Sequence, residues 1–156
     1  QNISELENVP EKKSFGKYFV WAIPVLPLAL IGYGFYAKGF DAILRAGATW
    51  ILVTGGLSAI AVLLARGHIF SVITAFIAAP ITTIHPALAS GWFAAAVEAK
   101  VNTPKVKDFE SLREIKSIGD FFRNRVTKIL LVAAFSNIGS MIGVFVALPM
   151  IAGLVG

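Results

Sequence analysis

The sequence predicts an all-α fold: a polytopic helical membrane domain with three full spans, a proline-broken helical hairpin and an amphipathic interfacial helix. Three observations lead there. Hydrophobic residues make up 56% of the 156 positions, and the mean hydropathy is +0.75. Charged residues, 15% of the chain, are clustered and leave long uncharged runs between them. One such run, Gly67–Val97, is interrupted by Pro80 and Pro86.

Residues 1–17 are polar and read as a linker from an N-terminal domain that the chain lacks. The start at Gln1 and the end inside an apolar run at Gly156 lead us to expect a piece of a larger protein. Residues 18–156 form the membrane domain. Its spans are expected at about 19–37, 46–65 and 129–153, because a helix needs roughly 20 apolar residues to cross a bilayer core. Tyr18 and Trp21 suit the interfacial aromatic belt of the first span. Lys38–Arg45 reads as a short connection holding Asp41, and Trp50 as another interface residue. In the second span Gly55, Ser58 and Ala59 are small residues of the kind that lets helices approach closely.

The broken element occupies 67–99. Proline lacks an amide donor and clashes with the preceding turn, so two half-helices are expected, about Ile69–Ala79 and Pro86–Ala99. Each is too short to cross alone. If the element enters and leaves on one side, twelve of the fourteen Lys and Arg residues share that side. A full crossing leaves ten against four. The positive-inside tendency favours the re-entrant form.

The loop 100–128 is charged. Within it Phe109, Leu112, Ile115, Ile118 and Phe122 recur at helical spacing and predict one amphipathic helix on the membrane surface. The last span carries a ridge of Ser136, Gly139, Ser140 and Gly143. Gly139 and Gly143 form a GxxxG packing motif, and Asn137 is an amide that needs a partner inside a membrane.

Candidate polar or ligand-site residues are Thr82, Thr83, His85, Glu98 and Asn137. With His85 as cap and Pro86 at the first helical position, the free amides of the second half-helix would face an anion at mid-membrane. The structural alternative is that Thr82, Thr83 and His85 satisfy one another in a tight turn. Glu98 sits where an interfacial acid or a proton relay would. His68, beside Arg66, reads as an interface residue.

Other chemistry is excluded by residue type. No cysteine is present, so disulfides and thiolate sites are out. Two histidines without an H-E-x-x-H pattern support neither a metal centre nor another cofactor. Asp41, Asp108 and Asp120 fall in polar connections, so no Ser–His–Asp arrangement and no catalytic residue can be assigned. The net charge of +5 serves topology and lipid headgroups here, not nucleic acid.

The stretches AFIAAPITTIHPALASGWFAAAVEAKVNTPKVKDFESLREI, FFRNRVTKILLV and NIGSMIG carry a family resemblance. Their most specific parts are Pro104–Leu112 and Arg123–Val126. The segment His68–Gly143 resembles the C-terminal membrane region of the TraB family, the pheromone-shutdown (PrgY-like) proteins. Relatives favour Asn where this chain has His85. The resemblance implies a preceding soluble domain that holds the family's proposed metallopeptidase residues, none of which is in this chain.

The expected role is therefore a non-catalytic anchoring and assembly domain in the cell membrane of a prokaryote. Its partners would be the lipid bilayer, further copies of itself as a homo-oligomer, and peptide through the missing domain. The alternative is a small transporter or channel with its site at the hairpin.

Overall fold

The computed structural model describes residues 15–84 and 88–155. Among these the chain is helical without strands: α1 (Phe15–Lys38), α2 (Phe40–Leu64), α3 (Ile69–Thr82), α4 (Ser90–Val101), α5 (Val106–Glu110), α6 (Ile118–Arg123) and α7 (Arg125–Val155). The linker expected over 1–17 lies mostly outside the described residues, and its last three positions already belong to α1.

Two of these helices, α2 and α7, are long and apolar enough to cross a membrane. The expected connection Lys38–Arg45 shrinks to one residue, Gly39. Its φ of 78° lies in the left-handed region that glycine adopts without penalty, so the chain reverses there and α2 begins at Phe40. Asp41 thereby falls in the first turn of α2, where a negative charge suits the helix dipole.

At the far end of α2 the chain turns through Arg66, whose φ is 57°. Gly67 N–H donates to Val62 O and Arg66 N–H to Leu63 O, both at 2.9 Å. This is the Schellman pattern of helix termination.

The break in the proline-containing run does not fall at Pro80. Helix α3 continues through it to Thr82. The carbonyl of Phe76, which would bond the missing amide of Pro80, faces Gly55 of α2: a Cβ there would lie 2.6 Å from that oxygen. A close Cα approach replaces part of what proline removes. The second half of the run also starts later than expected, with Ala89 as N-cap and Ser90 as the first residue of α4. His85 and Pro86 lie outside the described residues.

The single amphipathic helix expected in the loop is three short pieces. Helix α5 passes into a 3-10 turn at Ser111–Glu114, and α6 starts anew at Ile118. The restart has a local cause. Ser117 Oγ accepts from Asp120 N–H at 3.3 Å, while Asp120 Oδ2 accepts from Ser117 N–H at 3.0 Å. That reciprocal capping box ends one helical segment and begins another.

The long helices α2 and α7 form the central pair. Gly139 and Gly143 of α7 meet α2 directly: Cβ atoms there would lie 2.6 Å from Leu57 O and from Thr54 Cα, respectively. One core cluster, with Val62, Ala65, Val72, Ala75, Ala94 and Val132, joins α3 and α4 to one half of the pair. The other, with Ala46, Trp50, Val144, Ala147 and Ile151, takes Leu30 and Ile31 of α1 onto the other half. Trp50, expected at an interface, is in this core and only 4% exposed.

Large apolar side chains cover much of the outer surface, while hydroxyls and a carboxylate share the interior with the apolar clusters. Thr54, Ser58, Ser71, Ser90, Glu98 and Ser136 are buried, while Leu52, Leu63, Ile73, Ile77, Leu130 and Phe145 are exposed.

Candidate functional site

The helical hairpin of α3 and α4 is held to the rest of the bundle at three levels. At its base the Glu98 carboxylate, 0% exposed, comes from the last turns of α4. Its Oε2 accepts from His68 N–H at 2.7 Å and from the Ser71 hydroxyl at 2.6 Å. Its Oε1 accepts from the Asn102 amide at 2.7 Å and lies 3.4 Å from the Lys128 ammonium of α7. His68 is the N-cap of α3, so the carboxylate closes the start of that helix, where free amides and the positive dipole end favour an anion. A buried charge is tolerated when it is paired and fully hydrogen-bonded, and Glu98 is both. His68 is therefore a capping residue, with Nδ1 accepting from Phe70 N–H at 3.3 Å.

Deeper in, a polar cluster joins α2, α4 and α7. Asn137 Oδ1 accepts from Gly91 N–H at 2.8 Å, in the first turn of α4. Ser90 Oγ lies 3.2 Å from Ser140 Oγ and, in a second contact, 3.2 Å from Ser136 Oγ. Ser58 of α2 reaches Ser136 Oγ at 3.0 Å and donates to its carbonyl at 3.1 Å. Gly91 is pressed against the Ala133 carbonyl, so closely that a side chain has no room. Ser136 and Ser140 lie roughly 16–22 Å along α7 from its start, near the middle of the bundle.

At the tip, Trp50 Nε1 donates to Pro80 O at 3.1 Å. Thr83 Oγ1 donates to Ala79 O at 2.8 Å, and Thr82 Oγ1 to Ala78 O at 2.9 Å. The indole thus satisfies a carbonyl in the last turn of α3, while the Thr83 hydroxyl shares the Ala79 carbonyl with the Thr83 amide. Trp50 lies roughly 21 Å from the end of α2, so the hairpin reaches about half-way along the central pair.

Of the residues singled out from the sequence, Asn137 joins α7 to α4 and Glu98 joins α4 to α3 and α7, and none of their hydrogen bonds among the described residues involves Thr82 or Thr83. His85 lies outside the described residues. The helix-packing positions Gly55, Gly139 and Gly143 form contacts within the chain, and Ala59 packs beside the hairpin core. Missed were Lys128, Ser71, Ser90 and the buried role of Trp50. Isolated hydroxyls in apolar runs are the one sequence signal that marks the serines; nothing local pairs them.

Among the described residues every buried side-chain polar atom has a partner, and no three His, Asp or Glu side chains converge as a metal site would need. The arrangement can hold helices at fixed depth, and its polar groups are occupied in doing so.

The family model for the TraB family protein, C-terminal domain, matches residues 15–156. The chain belongs to the TraB family. A relative described as "Uncharacterized protein MJ1365", from Methanocaldococcus jannaschii, is 38% identical over 149 residues. That match covers 93% of this chain but 38% of the relative, so this TraB-family domain spans well under half the length of the curated relative it matches. No solved structure matches it. In this TraB domain the stretches singled out in the sequence are the hairpin, the loop and the first half of α7, which together contain the Glu98 and Asn137 junctions.

Proposed function

We propose that this chain is the non-catalytic membrane-anchoring and assembly domain of a longer TraB-family protein. The observation that carries the reading is the apolar exterior: large apolar side chains lie outside, while hydroxyls and a carboxylate are buried beside the apolar core. Water would penalise such a surface heavily, whereas a bilayer rewards it. On this reading α1 is a third span beside α2 and α7, and the α3–α4 hairpin is re-entrant. Its base at His68 and Glu98 lies at one surface and its tip near mid-depth.

The charge distribution supports the same orientation. Lys38 contacts Leu154 O at 3.4 Å, which puts the α1–α2 joint beside the end of α7. Arg66, the loop and Arg125 lie at the opposite end of the central pair. The described basic residues are concentrated there, as a cytoplasmic face requires. Peptide chemistry, on this proposal, belongs to the part of the longer protein outside this chain.

The test uses single cysteines in this cysteine-free chain at Phe40, Thr83 and Ser117. An impermeant thiol reagent applied to intact cells and to inverted vesicles should label Phe40 and Ser117 from opposite sides and leave Thr83 silent. Labelling of both ends from one side would sink the topology. A reactive Thr83 position would reveal water at the hairpin tip and favour the transport reading instead.

A further inference from the structure

The loop between α4 and α7 carries apolar side chains that none of the described residues covers. Val106 and Phe109 share one face of α5, and Ile118 and Phe121 one face of α6, by their three-residue spacing. All four are exposed, Ile118 by 79%. In a solvated loop such residues are expected to turn inward. Here Leu112, Ile115 and Phe122 are the partly buried ones, and Phe122 takes the Arg66 guanidinium over its ring at 5.3 Å.

The charges of the loop are sorted in a matching way. Asp108 and Asp120 are turned onto backbone: Asp108 Oδ2 accepts from Lys105 N–H at 2.7 Å, and Asp120 Oδ2 from Lys116 N–H at 3.2 Å. Lys105, Lys107, Arg113 and Lys116 are exposed, against Glu110 and Glu114. The outward charge is therefore cationic.

The loop is also tied down as a unit. Asn124 donates to Asp108 O at 2.6 Å and to Ser111 Oγ at 2.9 Å. Arg125 donates to Thr103 O at 3.0 Å. These bonds join α5, the 3-10 turn and the start of α7, which hold the apolar faces next to the end of the lipid-facing bundle.

We propose that α5 and α6 are a docking surface for anionic lipid headgroups, with Val106, Phe109, Ile118 and Phe121 inserted among them. The proposal rests on the membrane reading above and adds a lipid preference to it. Basic side chains beside shallowly inserted apolar ones are the chemistry by which a surface helix selects acidic lipid.

The experiment places an environment-sensitive fluorophore on Ile118→Cys, and separately on Phe145→Cys, in the whole chain. Both are reconstituted in nanodiscs of pure phosphatidylcholine or with about 30% phosphatidylglycerol, to provide the anionic surface, and containing a lipid-borne quencher. The residue 118 probe should blue-shift and be quenched in the acidic discs and much less in the neutral ones. Quenching should fall by roughly half at about 1 M salt, where the screening length is about 3 Å. The triple variant Lys105→Glu, Lys107→Glu, Arg113→Glu should lose the lipid preference.

The residue 145 probe separates the two readings, since it should be quenched in both discs if α7 spans. Quenching at 145 with none at 118, or equal quenching at 118 in both lipids, overturns the headgroup proposal alone. Absence at 145 overturns the membrane reading. A response of the 118 probe to duplex oligonucleotide, without lipid quenching, would also overturn the proposal in favour of nucleic acid.

Discussion

The Glu98 carboxylate accepts the backbone N–H of His68 at 2.7 Å, so the end of α4 caps the beginning of α3. Thirty positions of chain are closed into a loop by that bond and by the Ser71 hydroxyl on the same oxygen. Lys128 adds the tie to α7. The hairpin base is thus one polar unit contributed by three helices.

Glu98→Gln should loosen that unit. It leaves the Lys128 ammonium, 22% exposed, without its counter-charge and turns an amide towards groups that donate. Breaking a buried pair from one side costs about 3 kcal/mol, so denaturant unfolding in detergent should show a loss of that order. Glu98→Gln combined with Lys128→Met should be less destabilising than the sum of the two single changes. Strict additivity would mean that the pair is not coupled.

Gly139→Ala should separate the central helices. A Cβ would sit 2.6 Å from Leu57 O and 2.7 Å from Ala61 Cβ, and overpacking of this kind costs about 1–3 kcal/mol. Gly153→Ala is the control, because nothing lies within 4 Å of its Cβ position. It should be neutral or slightly stabilising, since alanine favours helix by about 0.5–1 kcal/mol. Equal effects at both sites would show that contact with α2 is not what Gly139 provides.

Trp50→Phe should free the hairpin tip. The change keeps an aromatic ring but removes the donor to Pro80 O, a bond worth about 1 kcal/mol. A Thr83→Cys probe, silent in the parent chain, should become reactive to thiol reagent in this background while global stability falls only slightly. A probe that stays silent would assign the tip's order to packing instead.

Asp120 makes the α6 start sensitive to acid. The Ser117 hydroxyl, with the Lys116 and Ser117 amides, holds its carboxyl below the usual aspartate range. A carboxylate with a lowered folded pKa stabilises the folded form above its unfolded value, and the contribution is lost as pH falls through the folded value. Amide hydrogen exchange at Ser117 and Asp120, corrected for its intrinsic pH dependence, should therefore lose protection on acidification. Asp120→Asn should abolish that pH dependence; its persistence would implicate another group.

Much of the fold is legible in single stretches of sequence. Uncharged runs of spanning length mark the regions of α1, α2 and α7, because hydropathy and length act locally. Proline marks the hairpin in the same way. The position of the break was not legible. The Phe76 carbonyl that Pro80 leaves free packs against Gly55 of α2, and Trp50, 30 residues away, donates to Pro80 O. The loop shows the opposite failure: its apolar period is helical throughout, yet the Ser117–Asp120 capping box divides it.

The candidate site divides along the same line. The sequence by itself marked Asn137 as an amide in an apolar run that needs a partner, and Glu98 as an acid at the edge of one, interfacial or proton-relaying. Only the tertiary structure decided who the partners are: His68, Ser71 and Lys128 for one, Gly91 for the other. Helical periodicity places a residue on a face of its own helix. Which face of another helix it meets depends on crossing and depth, set here by the close contacts of Gly91, Gly139 and Gly143.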